Sequence, residues 1–489
     1  MKRHESVTIQ LKKEGHCGDC FWYMKKTRKQ TDVSAHQSVT DFIKLHNGQE
    51  TIRIGFTDQK ISPHGGLITF AGFLHWHKLG KLLSGWLPQL GRSPKALPAF
   101  ELALGFMAGI LEGAKKLAQV AFLRRDPALP PMLGIERIAS QSTFSRFFQC
   151  FDGAAVNLRS FRPIWHWCLD RLPSRREGYT LDLDATHLLH EGQEQEGVRL
   201  TYTSKGYKKS LHPLLAFLAE VKLVAGFWLR PGNTRCDNNG VPFTLDLLHQ
   251  LPRHIRLRLV RADSGFCHDG WLSLLESQGL KYIVVARLNR PLQRLIKKDL
   301  IWQSTEIAGT EVAELMHQEL GWNGPRRLIV LRHRLGEQSH AGKVLLDCPG
   351  YSYQALITSL PDSVKALSVW RDYNGRADSE NVIKELDASF ALPQLCLKNF
   401  WSTEAALCLA VFAYNLCVLF ERRLGWLERV GAATLRFRIF TTGAVLSQSG
   451  GWPTIRLSVP VDERGWWQRV LDKISSEYPN CNSVALWSS

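Results

Sequence analysis

YTLDLDA, residues 179–185, alternates apolar and polar side chains with a period of two. A strand with that pattern turns Leu181 and Leu183 to one side and Asp182 and Asp184 to the other, so two carboxylates share one face of a sheet. Outward from it, LLAFLAE (214–220) and VAGFWLR (224–230) read as two more strands and VPFTLDLLHQL (241–251) as a helix. IRLRLVRAD (255–263) is a strand, WLSLLESQG (271–279) a helix ended by Gly279, and KYIVVARL (281–288) a fully buried strand. The order β-β-β-α-β-α-β predicts an α/β fold with a mixed sheet flanked by helices.

Three places in this frame carry chemistry. Asp184 ends the first strand, and Asp263 ends RLVRAD, where Ser264 and Gly265 turn the chain at the C-terminal edge of the sheet, the edge at which ligands collect. The third is DYNGRADSENVIKEL (372–386), in which Tyr373, Arg376, Glu380 and Lys384 follow at spacings of three, four and four, near one helical flank. With Glu380 facing the edge that carries Asp184 and Asp263, three oxygen ligands converge on a hard divalent cation. Each residue alone has an ordinary reading: a strand-end Asp caps the next helix, and Glu380 with Lys384 makes a surface ion pair.

Composition narrows the partner. The 489 residues carry a net charge of +17 and a pI near 9.5, with 44% apolar and 22% charged residues. That is a folded protein whose basic excess suits a polyanion, nucleic acid first. The first fifteen residues, MKRHESVTIQLKKEG, hold no apolar run, so no secretory leader and a cytoplasmic location are expected. Ala405–Phe420 is the longest apolar run, interrupted by Asn415 and shorter than the roughly 20 residues that span a bilayer, so it predicts a buried helix and no membrane partner. Eleven scattered Cys make no disulfide framework, and Cys17 and Cys20 form the single CxxC pair at which zinc could bind. No phosphate-binding glycine loop is framed by a strand and a helix, which leaves an ATP-driven mechanism without support.

The chain divides by pattern into a basic N-terminal arm (1–60, with KKTRK at 25–29), a helical, helix-turn-helix-like DNA-binding region (61–178), a first core part (179–288), a β-rich insertion (289–360), a helical core part (361–440) and a C-terminal segment (441–489). In ASQSTFSRFFQCF, Ser140 caps a helix whose Phe144, Phe147, Phe148 and Phe151 form a buried face. Gln141, Ser142, Ser145 and Arg146 lie opposite, where a recognition helix meets phosphates and base edges. Arg287, Arg290, Arg294, Lys297 and Lys298 sit in ARLNRPLQRLIKK (286–298) with no acid among them, and RRLIVLRHR (326–334) adds four Arg, so salt-sensitive DNA binding is expected. Trp302 and Trp322 lie in the insertion, where packing or base stacking are the two roles open to them.

LDLDATH, LRPGNT, VRADSGF and YNGRADSENVIKEL, in this order, resemble the bacterial insertion-sequence DDE transposases, closest to the insertion-sequence group numbered thirteen-eighty, over about 65–470. The resemblance implies an RNase H-like core with a β-rich insertion before the catalytic Glu, and places the catalytic, metal-holding acids at Asp184, Asp263 and Glu380. It implies two Mg²⁺ per site, with Mn²⁺ substituting, and cut-and-paste transposition: binding of terminal inverted repeats, strand cleavage and strand transfer. It further implies double-stranded DNA ends and target as partners, a homodimer or higher oligomer assembled on DNA, and a nucleoid-associated location. Tyr373 and Arg376 match the family's Tyr-x2-Arg-x3-Glu-x6-Lys signature, but Asp387 stands at the Lys position, so Lys384 or another base must supply the phosphate contact. Asp182 competes with Asp184 as the first ligand, and Asp184 is preferred because Thr186 follows it as in the family. The alternatives in other classes are a domesticated, inactive DNA-binding protein and a structure-specific nuclease of the same fold.

Overall fold

The computed structural model describes residues 8–10 and 43–475, apart from 47–48, 92–95, 191, 193, 204–205, 236–237, 299, 336–341, 346–347 and 427. Cys17, Cys20 and the KKTRK run lie outside the described residues. Strand β1 (Thr8–Gln10), the hairpin β2 (Ile43–His46) with β3 (Thr51–Ile54), and β4 (Lys60–Ser62) come first. Helices α1 (Leu67–Trp76), α2 (Leu79–Trp86), α3 (Ala99–Leu111), α4 (Leu117–Phe122), α5 (Leu129–Leu133), α6 (Gln141–Gln149) and α7 (Ala154–Asp170) follow.

The middle of the chain is β5 (Tyr179–Ala185), β6 (Leu188–Leu189), β7 (Arg199–Thr203), β8 (Gly206–Leu211), β9 (Leu214–Leu218), β10 (Leu223–Trp228), α8 (Gly240–Gln250), β11 (Leu257–Ala262), α9 (Asp269–Ser277) and β12 (Tyr282–Val285). Then come α10 (Arg290–Lys298), β13 (Gln303–Ser304), β14 (Thr310–His317), β15 (Arg326–Arg334), β16 (Lys343–Leu345) and β17 (Cys348–Thr358). The chain continues with α11 (Ala366–Asn374), α12 (Ala377–Ser389), α13 (Phe400–Arg423), α14 (Ala432–Leu435), β18 (Ala444–Ser449), β19 (Trp452–Leu457) and α15 (Arg464–Ser475).

The architecture is mixed α/β around one large sheet of order β10-β9-β5-β11-β12-β17-β15-β14-β13, with β16 against β17. β5, β11 and β12 are parallel, and β9, β10 and β17 run antiparallel to their neighbours. The strands of the β-rich stretch do not stand apart: β17 pairs with β12 and continues the sheet. Period-two alternation splits the core into two layers. Leu181, Leu183, Val260, Ala262, Tyr282 and Val284 belong to one cluster with the large helices, while Leu259 and Ile283 pack with Val369 and Tyr373 of α11 on the other face.

The apolar run of helix α13 lies buried in the first layer, as predicted. Its polar residues serve β10: the Val224 N–H donates to Asn415 Oδ1 (2.9 Å), Asn415 Nδ2 donates to the Val224 carbonyl (2.7 Å), and the Leu229 N–H donates to Glu404 Oε1 (2.8 Å). β10 is the edge strand of this sheet, and the buried Asn415 takes both backbone groups of Val224.

The region before β5 is not helical throughout. β4 and β1 pair with the C-terminal hairpin in a sheet of order β1-β19-β18-β4, so the first and last parts of the chain share one element. Gly65 and Gly66 make the close approach possible: a Cβ on Gly66 would stand 1.7 Å from the Ile439 carbonyl oxygen. The helical core part is divided, because the chain breaks between α11 and α12 and again between α12 and α13. Gly375, at the first break, lets Arg261 approach, since a Cβ there would sit 2.6 Å from Arg261 Nη1.

Candidate active site at the C-terminal edge of the sheet

Asp182 and Asp184 point to the same face of β5 but meet different partners. Asp182 is fully buried and holds Arg261 of β11 in a two-pronged ion pair, Nε to Oδ1 at 2.6 Å and Nη2 to Oδ2 at 2.7 Å. Ser379 of α12 donates its hydroxyl to Asp182 Oδ2 at 2.9 Å, and Arg261 Nη1 reaches the Asp372 carbonyl. Asp182 is therefore saturated, and it ties two strands to α11 and α12. Asp184, one step nearer the edge, has a single side-chain partner among the described residues, Arg376 Nη2 at 2.8 Å.

Parallel pairing of Ala262 with Leu183 brings Asp263 beside Asp184 at the ends of adjacent strands. Asp263 shares the face of Arg261 by alternation, and its Oδ1 accepts the Gly265 N–H at 2.9 Å, which fixes the turn. Burial pushes Asp184 up to about 6; Arg376 pulls it down and Asp263 pushes it further up. Arg376 caps the start of α12, donates to the Leu183 carbonyl at 3.2 Å and leaves its buried Nε without an acceptor among the described residues. Burial lowers the Arg376 pKa, but Asp184, Tyr373 and Asp263 together hold it above its ordinary value. Tyr373 is buried behind Arg376, with its hydroxyl pKa raised by burial.

Glu380 stands exposed in the first turn of α12, one residue after Ser379 and four after Arg376. Helical geometry sets its Cβ about 6 Å from that of Arg376, on the flank of the site. Among the described residues no three His, Cys, Asp or Glu side chains are gathered closely enough to hold a metal, so the expected convergence of three acids is not present in this arrangement. Two acids meet, and a guanidinium lies against them. The donor set still suits a divalent cation: two adjacent carboxylates, one short of compensation, and a third on the neighbouring turn. Lys384 is exposed one turn further along α12. Asp387 is partly buried, with Oδ1 lacking a partner, and burial raises its pKa to about 6.

The other predicted residues divide by exposure. Ser140 Oγ accepts the Thr143 N–H at 3.2 Å, and Phe144, Phe147, Phe148 and Phe151 are buried, which leaves Gln141, Ser142 and Arg146 exposed and Ser145 half-buried on α6. Arg290, Arg294 and Lys297 line the exposed side of α10, whose Leu292 and Ile296 are buried, and exposed Arg287 donates to the Ser264 carbonyl at 3.0 Å. The Lys298 side chain lies outside the described residues.

RRLIVLRHR does not supply four cations to a partner. Arg326 bonds Asp269 and Glu276, Arg327 bonds Glu314, and Arg332 bonds Glu311, so only Arg334 of the four is exposed. Trp322 is buried under Arg326, and half-buried Trp302 packs against Arg332 and Tyr353. Arg261 and Ser379 were not singled out by the sequence reading. An Arg inside the buried run RLVRAD, at the parity of Asp263, was the available signal.

The family model for Transposase DDE domain group 1 matches residues 45–478, and the chain belongs to that family. A search of the curated proteins finds no match. Among solved structures, the piggyBac transposase synaptic complex with hairpin DNA is similar at 13% identity and a TM-score of 0.40, over 78% of this chain and 82% of that chain. A likeness that loose adds no weight.

Proposed function

We propose that this transposase binds the terminal inverted repeats of an insertion sequence and catalyses divalent-metal-dependent strand cleavage and strand transfer through Asp184, Asp263 and Glu380. The single observation that supports it is the meeting of Asp184 and Asp263 at the ends of parallel neighbours, with Arg376 between them and α12. The order β10-β9-β5-β11-β12 favours the RNase H-like reading of the core.

Asp184 and Asp263 would hold Mg²⁺ or Mn²⁺, with Glu380 turning in from the first turn of α12. Bound cations would polarise the phosphate and ease ionisation of the attacking water or 3′-OH. The protein's own part is positioning. Asp182 and Arg261 lock β5 to β11, so the two acids keep a fixed spacing, and Ser379 locks α12 to the same point. The unpaired Arg376 Nε offers a buried donor to a phosphate oxygen, and Tyr373 backs it. Both reactions are displacements at phosphorus, so no Ser or Tyr nucleophile is required. The exposed cations of α10 and α6 would hold flanking duplex.

In Mg²⁺ the purified chain should nick DNA carrying the element ends and join the freed 3′-OH to a target plasmid, while Asp263→Ala binds the ends without nicking. Nicking retained by Asp263→Ala removes that residue from the site. Nicking without joining indicates the nuclease reading, and binding with neither indicates an inactive DNA-binding protein.

A further inference from the structure

Between β5 and β9 the chain leaves the main sheet to form a separate three-stranded sheet of order β6-β8-β7. Cross-strand pairs Leu200↔Lys209 and Tyr202↔Tyr207 put four side chains on one face of the β7–β8 hairpin. That face is bare: Leu200 is 61% exposed, Tyr202 70% and Tyr207 72%, and the two tyrosine rings meet edge to face with centroids 5.4 Å apart. Thr203 and Ser210, on the opposite face, are buried. A strand pair normally turns its apolar side inward, so an outward aromatic pair marks a contact surface.

The surroundings say what the contact is. From Gly197 to Ala219 the sequence holds no Asp or Glu, and Arg199, Lys208 and Lys209 are exposed on the hairpin. A second protein copy suits the patch poorly: the two tyrosines could bury about 150–250 Å² each, against about 800 Å² per partner for a stable dimer. Aromatic faces beside lysines are what a nucleic-acid strand with unstacked bases requires. Position agrees. Leu211 of β8 pairs with Leu188, and Asp184 pairs with Leu215, so Tyr207 lies eight residues from the partner of Asp184, at most about 26 Å along an extended chain.

Resting on the reading that the chain cuts DNA, we propose that the β7–β8 hairpin is a DNA-holding arm: Tyr202 and Tyr207 stack on an unpaired base near the cleavage point, and Lys209, on the same face, holds an adjacent phosphate. The arm then grips DNA within about eight nucleotides of the cut phosphate, at 3.4 Å per nucleotide.

The test uses the full chain, a labelled blunt duplex, and the same duplex ending in an unpaired 3′ tract that contains 2-aminopurine. Wild type should prefer the unpaired tract and quench the probe. Tyr202→Ala with Tyr207→Ala should lose about tenfold in affinity for that DNA, with no quenching and an unchanged salt slope. Lys209→Ala should weaken both DNAs and lower the salt slope by about one. Thermal melting of each variant checks folding, and single tyrosine replacements give a second measurement should the double variant melt early. Unaltered affinity and quenching in folded tyrosine variants overturn the proposal. So does a DNA-free dimer that the variants abolish while DNA binding stays as in wild type. Wild type that binds neither DNA sinks the proposed function itself, whereas tight wild-type binding that ignores the hairpin sinks the arm alone.

Discussion

The Arg261 guanidinium meets the Asp182 carboxylate prong to prong, at 2.6 and 2.7 Å, with neither group open to water. Of the two acids of YTLDLDA, the inner one is a fastener and the outer one faces the site. Breaking a buried ion pair from one side costs about 3–5 kcal/mol. Asp182→Ala should therefore lose about that much unfolding free energy in urea titrations, while Asp184→Ala should leave the fold intact and abolish nicking. A reversed outcome would exchange their roles.

Glu380 contributes little to packing, being exposed. Glu380→Gln is expected to melt within a degree or so of wild type. Mg²⁺-dependent nicking should fall by at least about a hundredfold, more than the loss typical of residues that merely support a metal ligand. Equal nicking in the two proteins would exclude Glu380 from the cation set.

Asp184, pushed up to about 6, is protonated below that pH in the folded chain. A protonated carboxyl holds no cation, so stabilisation by Mg²⁺ in thermal melts should be full above pH 6 and lost as pH falls through it. For folding the sign is opposite. The folded pKa lies above the unfolded value, so ionised Asp184 weakens the metal-free fold as pH rises, and Asp184→Asn should be the more stable protein at neutral pH.

Asp387 repeats that logic away from the edge. Burial alone raises it to about 6, and no partner compensates its Oδ1 among the described residues. Asp387→Asn should stabilise the chain by about 1–3 kcal/mol at neutral pH, an advantage that shrinks as pH falls from about 6 and is gone below the unfolded pKa of about 3.9. Denaturant titrations at several pH values would reveal it.

The arginines of the chain should separate by salt. Removing Arg290, Arg294 and Lys297 together should lower the salt slope of DNA binding by up to about 2.7. Arg326→Ala should leave the slope alone and destabilise the chain, because its charge is spent on Asp269 and Glu276. Counting charges along RRLIVLRHR could not reveal this, since the acids that neutralise it come from α9 and β14.

That case shows where sequence reading works in this chain. Alternation exposed β5, β9, β11 and β12 because burial of one or both faces leaves a repeating pattern, and the C-terminal strand ends then brought Asp184 and Asp263 together. The β6–β8 sheet went unread because its apolar face looks outward and obeys no core. Asp182 and Asp184 looked equivalent in sequence; only the third dimension pairs one with Arg261. Glu380 could be placed on a helical flank, yet which way its side chain turns depends on packing that the pattern does not carry.

Helix α13, made late, fills the space between α3, α6 and α7, made early, and β18 closes on β4 later still. A nascent chain that stops short of residue 400 thus lacks the pillar around which its own first half assembles. A copy truncated before that helix should be unfolded and readily cut by protease where the full chain resists, which limited proteolysis of the two would show.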